Sequence, residues 1–275
     1  MSAKKDFLED KATRIRLKSL EMTTHAGSGH ATTAMSSAEI LSTLYFDQMV
    51  YDPKNPNSLE GDDFVISKGH GAPGLYAVMD EAGMLPNEDI MNLRTFDSVL
   101  EGHPVPKLPG VRLATGSLGQ GLSGGLGLAR AMKMDQIKRY VYVLLGDGEM
   151  AEGNVWEALH LASFYEADNL IGIVDLNRLG QSDPTMYEWN TEAYQGKIEA
   201  FGWHTQVVDG HSVDGLMEAF EAARKSSKPS MIIAKTVKGK GADFLENADG
   251  RHGKPVSEEE LANARTQLQN ELKES

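Results

Sequence analysis

The sequence predicts an α/β fold built on an open parallel sheet, with helices on both faces of the sheet. Several short segments are apolar at almost every position, as expected of strands that are covered on both faces. Helix-favouring segments lie between them, and this alternation is typical of parallel α/β folds. A chain of 275 residues is long enough for one large domain, and we expect residues 1–275 to form it.

Each element is predicted from a local pattern along the chain. Residues 5–24 combine apolar and charged positions in the pattern of an amphipathic helix. Further helices are predicted at 34–49, 72–82, 120–134, 152–167, 192–201 and 213–226. Strands are predicted at 63–67, 141–145, 170–176 and 231–234, and a less apolar one at 203–208. Ser257 and Glu260 have the spacing of a capping box, which predicts a C-terminal helix over 257–275.

Composition and charge exclude several kinds of function. The chain has 0 Cys, which excludes disulfides, thiolate metal sites and a cysteine nucleophile. Its net charge of −13 disfavours general nucleic-acid binding, because phosphate contacts need clustered cations. No apolar run approaches the length of a membrane span, so we expect no membrane partner. The N-terminal segment has no apolar signal core, and we expect a cytoplasmic protein.

Oxygen-bearing side chains follow two of the predicted strands. Strand 141–145 runs into Gly146-Asp147-Gly148, and strand 170–176 runs into Asn177. Because ligands of open α/β sheets bind outside the carboxyl ends of the strands, these residues are candidates for a ligand site. A carboxylate and an amide oxygen suit Mg²⁺, or alternatively Ca²⁺. The alternative interpretation is that Asp147 caps the following helix and Asn177 is an ordinary loop residue.

A longer set of motifs resembles the transketolases, which depend on thiamine diphosphate. The segments GDGEMAEG (146–153), WEA (156–158) and DLNRLGQ (175–181) resemble the thiamine-diphosphate motif of that family. Six further segments resemble family motifs in the same order along the chain: AGSGH (26–30), SKGHGA (67–72), GHP (102–104), ATGSLGQG (114–121), KTVKGKG (235–241) and HGKP (252–255). The resemblance covers nearly the whole chain and implies the thiamine-diphosphate-binding fold.

The resemblance implies a role for each matching residue. The metal would be held by Asp147, Asn177 and the main-chain carbonyl of Leu179. The residues implied to contact the cofactor are Thr33, His70, Gly116, Ser117, Leu118, Gly148, Glu152, Asn177, Gln181, Lys238 and His252. The implied catalytic residues are four histidines around the reacting carbon, His30, His70, His103 and His252, a residue type whose ordinary pKa lies near neutrality.

The family also implies a reaction and a partner. Transketolases move a two-carbon ketol unit from a ketose, commonly a sugar phosphate of the pentose phosphate pathway, to an aldose acceptor. They carry a second domain after this one, which supplies the glutamate that activates the cofactor's pyrimidine. This sequence stops soon after His252, so it resembles the N-terminal, diphosphate-binding subunit of a split transketolase. We expect a C-terminal, pyrimidine-binding partner subunit, with two copies of each chain.

Three alternatives to this interpretation stay open at the sequence level. The first is a related thiamine-diphosphate enzyme, such as a deoxyxylulose-phosphate synthase, although the histidine set argues against it. The second is a ketol transferase for modified sugars, and the third is a non-catalytic subunit that only binds a partner. Ala31 also departs from the proline that the family usually has there, which changes backbone rigidity rather than chemistry.

Two further features have competing interpretations. Residues 119–124 fit the G-x-G-x-x-G pattern of dinucleotide sites, but no apolar strand precedes them. We expect instead a helix with a small-residue face at a subunit interface; packing within the domain is the alternative. His160 lies in a leucine-rich helix and is predicted to be a structural core histidine.

Overall fold

The sheet has five strands among the residues that the structure, a computed structural model, describes (2–85 and 89–274). The strands are β1 (Asp63–Ile66), β2 (Val141–Gly146), β3 (Leu170–Leu176), β4 (His204–Asp209) and β5 (Ser230–Lys235). They pair in the order β1-β2-β3-β5-β4, and every pair is parallel. The predicted open parallel sheet is therefore confirmed, with each strand within one residue of its predicted bounds at either end.

Helices cover both faces of this sheet. The α-helices are α1 (Ser2–His25), α2 (Ala31–Ser36), α3 (Ala38–Thr43), α4 (Ala72–Glu81), α5 (Gln120–Met134), α6 (Gly153–Phe164), α7 (Thr191–Ala200), α8 (Val213–Lys225) and α9 (Glu258–Glu274). The predicted end of the last helix at Ser275 lies outside the described residues. The cap of α9 forms as predicted, since the Glu260 amide donates to Ser257 Oγ and the Ser257 amide donates to the Glu260 carboxylate.

Most of the core lies in two layers, one on each side of the sheet, and a smaller third cluster lies between α1, α2 and α9. In β2, Tyr142 and Leu144 point into the layer formed with α3, α4 and α8, whereas Val143 and Leu145 point into the layer formed with α5, α6 and α7. Successive side chains of a strand point to opposite faces, so a strand that is buried on both needs the near-continuous apolar run seen in the sequence.

The predicted helix over 34–49 is wrong in its continuity and in its start. The chain forms α2 and α3 with a break at Ser37, followed by a π-helical turn over Leu44–Gln48. Ser36 and Ser37 both donate their hydroxyls to the Thr33 carbonyl, and such local bonds compete with the helical ones. The end of α2 lies next to the strand ends, since the Ser36 hydroxyl donates to Asp175 near the end of β3.

Three glycines of α5 pack closely within the chain, and the expected subunit interface at this helix stays a prediction. A Cβ on Gly121 would lie 2.4 Å from Ser67, one on Gly124 would lie 2.3 Å from Leu113, and one on Gly125 would lie 2.5 Å from Val143. A larger residue at Gly121 or Gly125 would therefore force α5 away from the end of β1 or from β2, whereas one at Gly124 would displace the Leu113 side chain. Only Gly127 of the helix is open to solvent among the glycines after Gly121. No strand precedes the G-x-G-x-x-G segment directly, as the sequence indicated.

Candidate active site

The candidate residues lie at the carboxyl edge of the sheet because the chain leaves β1, β2, β3 and β5 there. β1 is followed by Lys68 and His70, β2 by Asp147, β3 by Asn177 and β5 by Lys238. Parallel strands bring these five positions, far apart in sequence, to one edge. α2 approaches the same edge and adds Thr33.

A cavity of about 1020 Å³ opens at this edge. It is lined by most of the residues that the sequence analysis singled out, namely His30, Thr33, His70, His103, Gly116, Leu118, Asp147, Gly148, Asn177, Leu179, Gln181, Lys238 and His252. Ser117 and Glu152 are the two candidates that do not line it; both are exposed. The predicted set is thus gathered in one place, with two members outside the cavity and open to solvent.

Asp147 is a buried carboxylate that contacts no cationic side chain of the described residues. One oxygen accepts from the Gly148 amide at 2.9 Å, and the other accepts from the Arg178 amide at 2.6 Å and from the Thr185 hydroxyl at 3.1 Å. Burial and then the negative charge of Asp175 raise the pKa of Asp147 to about 6. A cation at this carboxylate would relieve both effects.

The donor set around Asp147 fits a hard divalent cation. Asn177 offers an amide oxygen and Leu179 a carbonyl oxygen at the neighbouring strand end, and all three oxygens belong to ligand types that Mg²⁺ and Ca²⁺ prefer. The Leu179 carbonyl already accepts from a cation, since the Lys238 ammonium donates to it at 2.8 Å. No cluster of three or more His, Cys, Asp or Glu side chains that could hold a metal occurs in the described part of the chain. One carboxylate with neutral oxygens would leave room for substrate oxygens and water, as Mg²⁺ sites usually do.

Lys238 links the strand-end loops to the histidines. Its ammonium donates to the carbonyls of Leu179 and Gly180 and lies 3.0 Å from His252 Nδ1. Because an ammonium only donates, Nδ1 of His252 must accept, which places the imidazole proton on Nε2. Burial lowers the pKa of Lys238 to about 8, partly offset by Asp147 and Asp175.

Three of the histidines pack as a triangle. The ring centroids of His30 and His70 are 5.1 Å apart, those of His30 and His252 are 4.8 Å apart, and those of His70 and His252 are 5.1 Å apart. Burial, then nearby positive charge, lowers the pKa of His30 to about 4 and that of His252 to about 4, and it lowers the pKa of His70 further. All three imidazoles are therefore neutral at neutral pH, able to accept or donate a proton.

His103 lies at the side of the triangle, against the glycine turn that precedes α5. A Cβ on Gly116, whose φ is +138°, would be only 2.7 Å from the His103 ring. Glycine is required there, because both the left-handed backbone and the contact exclude a side chain. Burial and, to a smaller extent, the positive charge of Arg94 lower the pKa of His103. Arg94 also contributes to the low pKa of His30.

Sequence reasoning missed several residues that hold this edge together. The Glu149 carboxylate is buried and accepts from the Ser67 hydroxyl and from the amides of Gly119 and Gly146, which ties the turn before α5 to the loop after β2. His211 accepts a hydrogen bond from the Val237 amide at Nε2, and its Nδ1 lies 3.0 Å from the Glu39 carboxylate. Nothing in the sequence indicated these contacts, because most of them join segments that are distant in sequence.

His160 is not a core residue, which corrects the prediction. Its side chain is exposed on α6, and its ring lies edge-on to Phe201 with centroids 6.3 Å apart. The leucine-rich composition around it suggested burial, but the helix has an exposed face on which His160, Leu161 and Phe164 all lie.

Comparison with known proteins agrees with this geometry. Residues 8–275 match the family described as transketolase, thiamine diphosphate binding domain. The chain belongs to the transketolase family.

Transketolases resemble the chain over part of their length. This chain is 51% identical to transketolase from Pongo abelii over an alignment of 250 residues, and the alignment covers 90% of this chain. The solved structure of transketolase from Campylobacter jejuni superposes with a TM-score of 0.90 at 36% identity, over 96% of this chain and 43% of that one. The chain spans only 40% of the length of the Pongo transketolase.

A second kind of relative matches the chain from end to end. The 6-deoxy-6-sulfo-D-fructose transketolase subunit of a Clostridium species (strain MSTE9) is 39% identical over 274 residues, which cover 98% of this chain and 99% of that subunit. None of the described helices combines the length and the apolar composition that a membrane span requires.

Proposed function

We propose that this chain is the diphosphate-binding subunit of a split transketolase, with residues 1–275 forming one domain. Together with a pyrimidine-binding partner chain, it transfers a two-carbon ketol unit from a ketose donor to an aldose acceptor. The observation that carries the proposal is the end-to-end match to a protein named as a transketolase subunit, on a chain whose cavity gathers the expected histidines and oxygen ligands.

Thiamine diphosphate and Mg²⁺, or Ca²⁺ in its place, are the proposed cofactors. Asp147, Asn177 and the Leu179 carbonyl would hold the metal, with the diphosphate completing its coordination. His70, the Gly148 amide and Lys238 would contact diphosphate oxygens, and Thr33 and Gln181 would complete this end of the site. When bound, the cofactor supplies the nucleophilic carbon that adds to the donor's carbonyl; the chain binds and orients it.

The neutral histidines would bind substrate hydroxyls and carry protons. His252 presents a proton on Nε2, because Lys238 occupies its Nδ1 side. The Nδ1 atom of His30 is buried without a hydrogen-bond partner within the described residues, and its Nε2 lies beside Gly253, whose lack of a side chain keeps that approach open. His103 would act from the side, and Gly116, Ser117 and Leu118 would face the rings of the cofactor.

The partner would cover the side of the cavity where α6 begins. Glu152, which the family resemblance assigns to a carboxylate network with the partner, is exposed at the start of this helix. Further along α6, Leu161 is 42% exposed and Phe164 is 72% exposed, which leaves apolar side chains for a partner to bury. We propose two copies of each chain, since closed two-fold assemblies dominate among oligomers.

The proposed substrates are ketoses with an anionic group at the far end. Sugar phosphates of the pentose phosphate pathway fit the resemblance to transketolases. A sulfonated sugar fits equally, because the relative matched from end to end is named for 6-deoxy-6-sulfo-D-fructose. The cytoplasm is the proposed compartment, in keeping with 0 Cys.

Reconstitution tests this proposal. The purified chain is expected to show no ketol transfer with fructose 6-phosphate or its 6-deoxy-6-sulfo analogue as donor and glyceraldehyde 3-phosphate as acceptor. Adding the proposed pyrimidine-binding partner chain, thiamine diphosphate and Mg²⁺ should restore transfer with at least one donor. A pyrimidine-binding chain whose activating glutamate is replaced by Gln is the control for carry-over activity. Full turnover by the purified chain alone would contradict the split-enzyme proposal.

A further inference from the structure

A buried ion pair joins the ends of β1 and β3 beneath the candidate site. Lys68 Nζ lies 2.6 Å from Asp175 Oδ2, and the two side chains are 1% and 0% exposed. Ion pairs as buried as this rarely add net stability over a well-packed apolar pair, because the desolvation of both charges offsets their attraction. The hydrogen bonds that each partner makes to predicted cofactor residues indicate a different role.

Asp175 fixes the orientation of Asn177. The Nδ2 atom of Asn177 donates to Asp175 Oδ2 at 3.0 Å. An ionised carboxylate can only accept, so the atom of Asn177 that faces it must be the NH₂ group, and Oδ1 must point away. Lys68 and the hydroxyl of Ser36 also donate to Oδ2 of Asp175, and the Thr236 hydroxyl donates to Oδ1, so both carboxylate oxygens act as acceptors.

Lys68 fixes Thr33 from the other side of the same pair. Its ammonium donates to the Thr33 carbonyl at 3.0 Å, to Thr33 Oγ1 at 3.2 Å and to Ser37 Oγ at 3.3 Å. These bonds hold the end of α2 against the strand ends. Because Thr33 Oγ1 accepts from Lys68, its own hydroxyl hydrogen is left to donate elsewhere, and Thr33 lines the cavity.

We propose that Lys68 and Asp175 are positioning residues of the metal–diphosphate site: together they hold the Asn177 amide oxygen and the Thr33 hydroxyl in the orientation that binds Mg²⁺ and diphosphate. The inference rests on the proposed function. It assigns a task to two residues outside the proposed set of ligand contacts, of which Lys68 lines the cavity. Asp175 holds Nδ2 of Asn177, while the Leu179 amide donates to Oδ1.

Two double variants that both remove the charges separate this role from a stabilising one. K68M/D175N retains an oxygen that can accept from Asn177 Nδ2, whereas K68M/D175L retains none. The measurement is a calorimetric titration of Mg²⁺ into the chain at saturating thiamine diphosphate, with the midpoint of thermal unfolding as a separate readout. K68M/D175L is expected to bind Mg²⁺ about 10–100-fold more weakly than K68M/D175N, the usual effect of removing a residue that orients a metal ligand. Both variants lose the bonds from Lys68 to Thr33, so K68M/D175N should itself bind somewhat more weakly than wild type.

A matched control is the Lys11–Glu81 pair, which joins α1 to α4 away from the cavity with a 2.8 Å contact. K11M/E81L should lower the unfolding midpoint without changing Mg²⁺ affinity. Equal Mg²⁺ affinity in the wild type and K68M/D175L would overturn the inference and leave the proposed function standing. A wild-type chain that binds no Mg²⁺ with thiamine diphosphate would instead overturn the proposed function and the inference with it.

A measurement on the unaltered pair covers the case in which K68M/D175L does not fold. The side-chain amide protons of Asn177, assigned by their disappearance in Asn177→Ser, should exchange slowly with solvent in the wild-type chain, because Nδ2 is held against the buried carboxylate. Rapid exchange of these protons would show that Asp175 does not hold the amide, and would overturn the inference.

Discussion

Asp147→Asn is expected to abolish Mg²⁺-dependent binding of thiamine diphosphate. Asp147 is 4% exposed and is the one carboxylate in the proposed metal set, so its loss removes the main electrostatic attraction for the cation. The substitution keeps the shape of the side chain and one oxygen for the Gly148 amide. Calorimetry should show affinity weakened by more than ~100-fold, beyond the range typical of residues that only orient ligands.

The matched control for this variant is Asp183→Asn. Asp183 is an exposed carboxylate in the loop after β3 and does not line the main cavity. The Asp183→Asn chain should therefore bind cofactor and metal as the wild-type chain does. An Asp147→Asn chain that is folded by its unfolding midpoint and still binds thiamine diphosphate with wild-type Mg²⁺ dependence would remove Asp147 from the metal site.

His30→Asn should separate cofactor binding from turnover. In the reconstituted enzyme, kcat/KM for ketol transfer is expected to fall by about 10²–10⁴, the usual contribution of a positioned proton carrier. Thiamine diphosphate should bind nearly as before, because His30 makes no contact with the proposed metal ligands and packs on His70 and His252 instead. Steady-state kinetics and calorimetry on the same preparation check the two halves of this prediction.

His204→Asn is the matched histidine control. His204 begins β4, at the edge of the sheet opposite the carboxyl edge, and does not line the main cavity, so kcat/KM should not change. Unchanged turnover in His30→Asn, or loss of cofactor affinity equal to the loss of turnover, would show that His30 is not the substrate-binding histidine proposed here.

The fold could be predicted in detail because its signals are local. A buried parallel strand such as β3 needs apolar residues at nearly every position, and residues 170–176 show that run with the one charged residue Asp175 in it. The break at Ser37 could not be predicted, since it depends on hydroxyl bonds that compete with the helix in its tertiary setting. The exposure of His160 depends on which face of α6 meets the sheet, and the surrounding leucines do not reveal that.

Candidate site residues could be predicted where the residue type and its position in a motif indicate a chemical role. Asp147 and Asn177 follow strands and carry oxygen, and the histidines lie in short motifs, so both groups were found along the chain. Lys68 and Asp175 were not, because a lysine and an aspartate 107 positions apart have no visible relation until β1 and β3 bring their ends to one edge. The same holds for Glu149, whose partner Ser67 is 82 positions away.

Selective binding of the diphosphate at the carboxyl edge is the central claim, and a calorimetric titration of the wild-type chain tests it most directly. Thiamine diphosphate and thiamine are each titrated in Mg²⁺ and in excess EDTA. Of the four titrations, only thiamine diphosphate in Mg²⁺ is predicted to show binding, which should be weak but saturable. The reason is that the metal and the residues at the strand ends are proposed to hold the diphosphate. Binding of thiamine as tight as that of thiamine diphosphate, or binding unaffected by EDTA, would contradict the account.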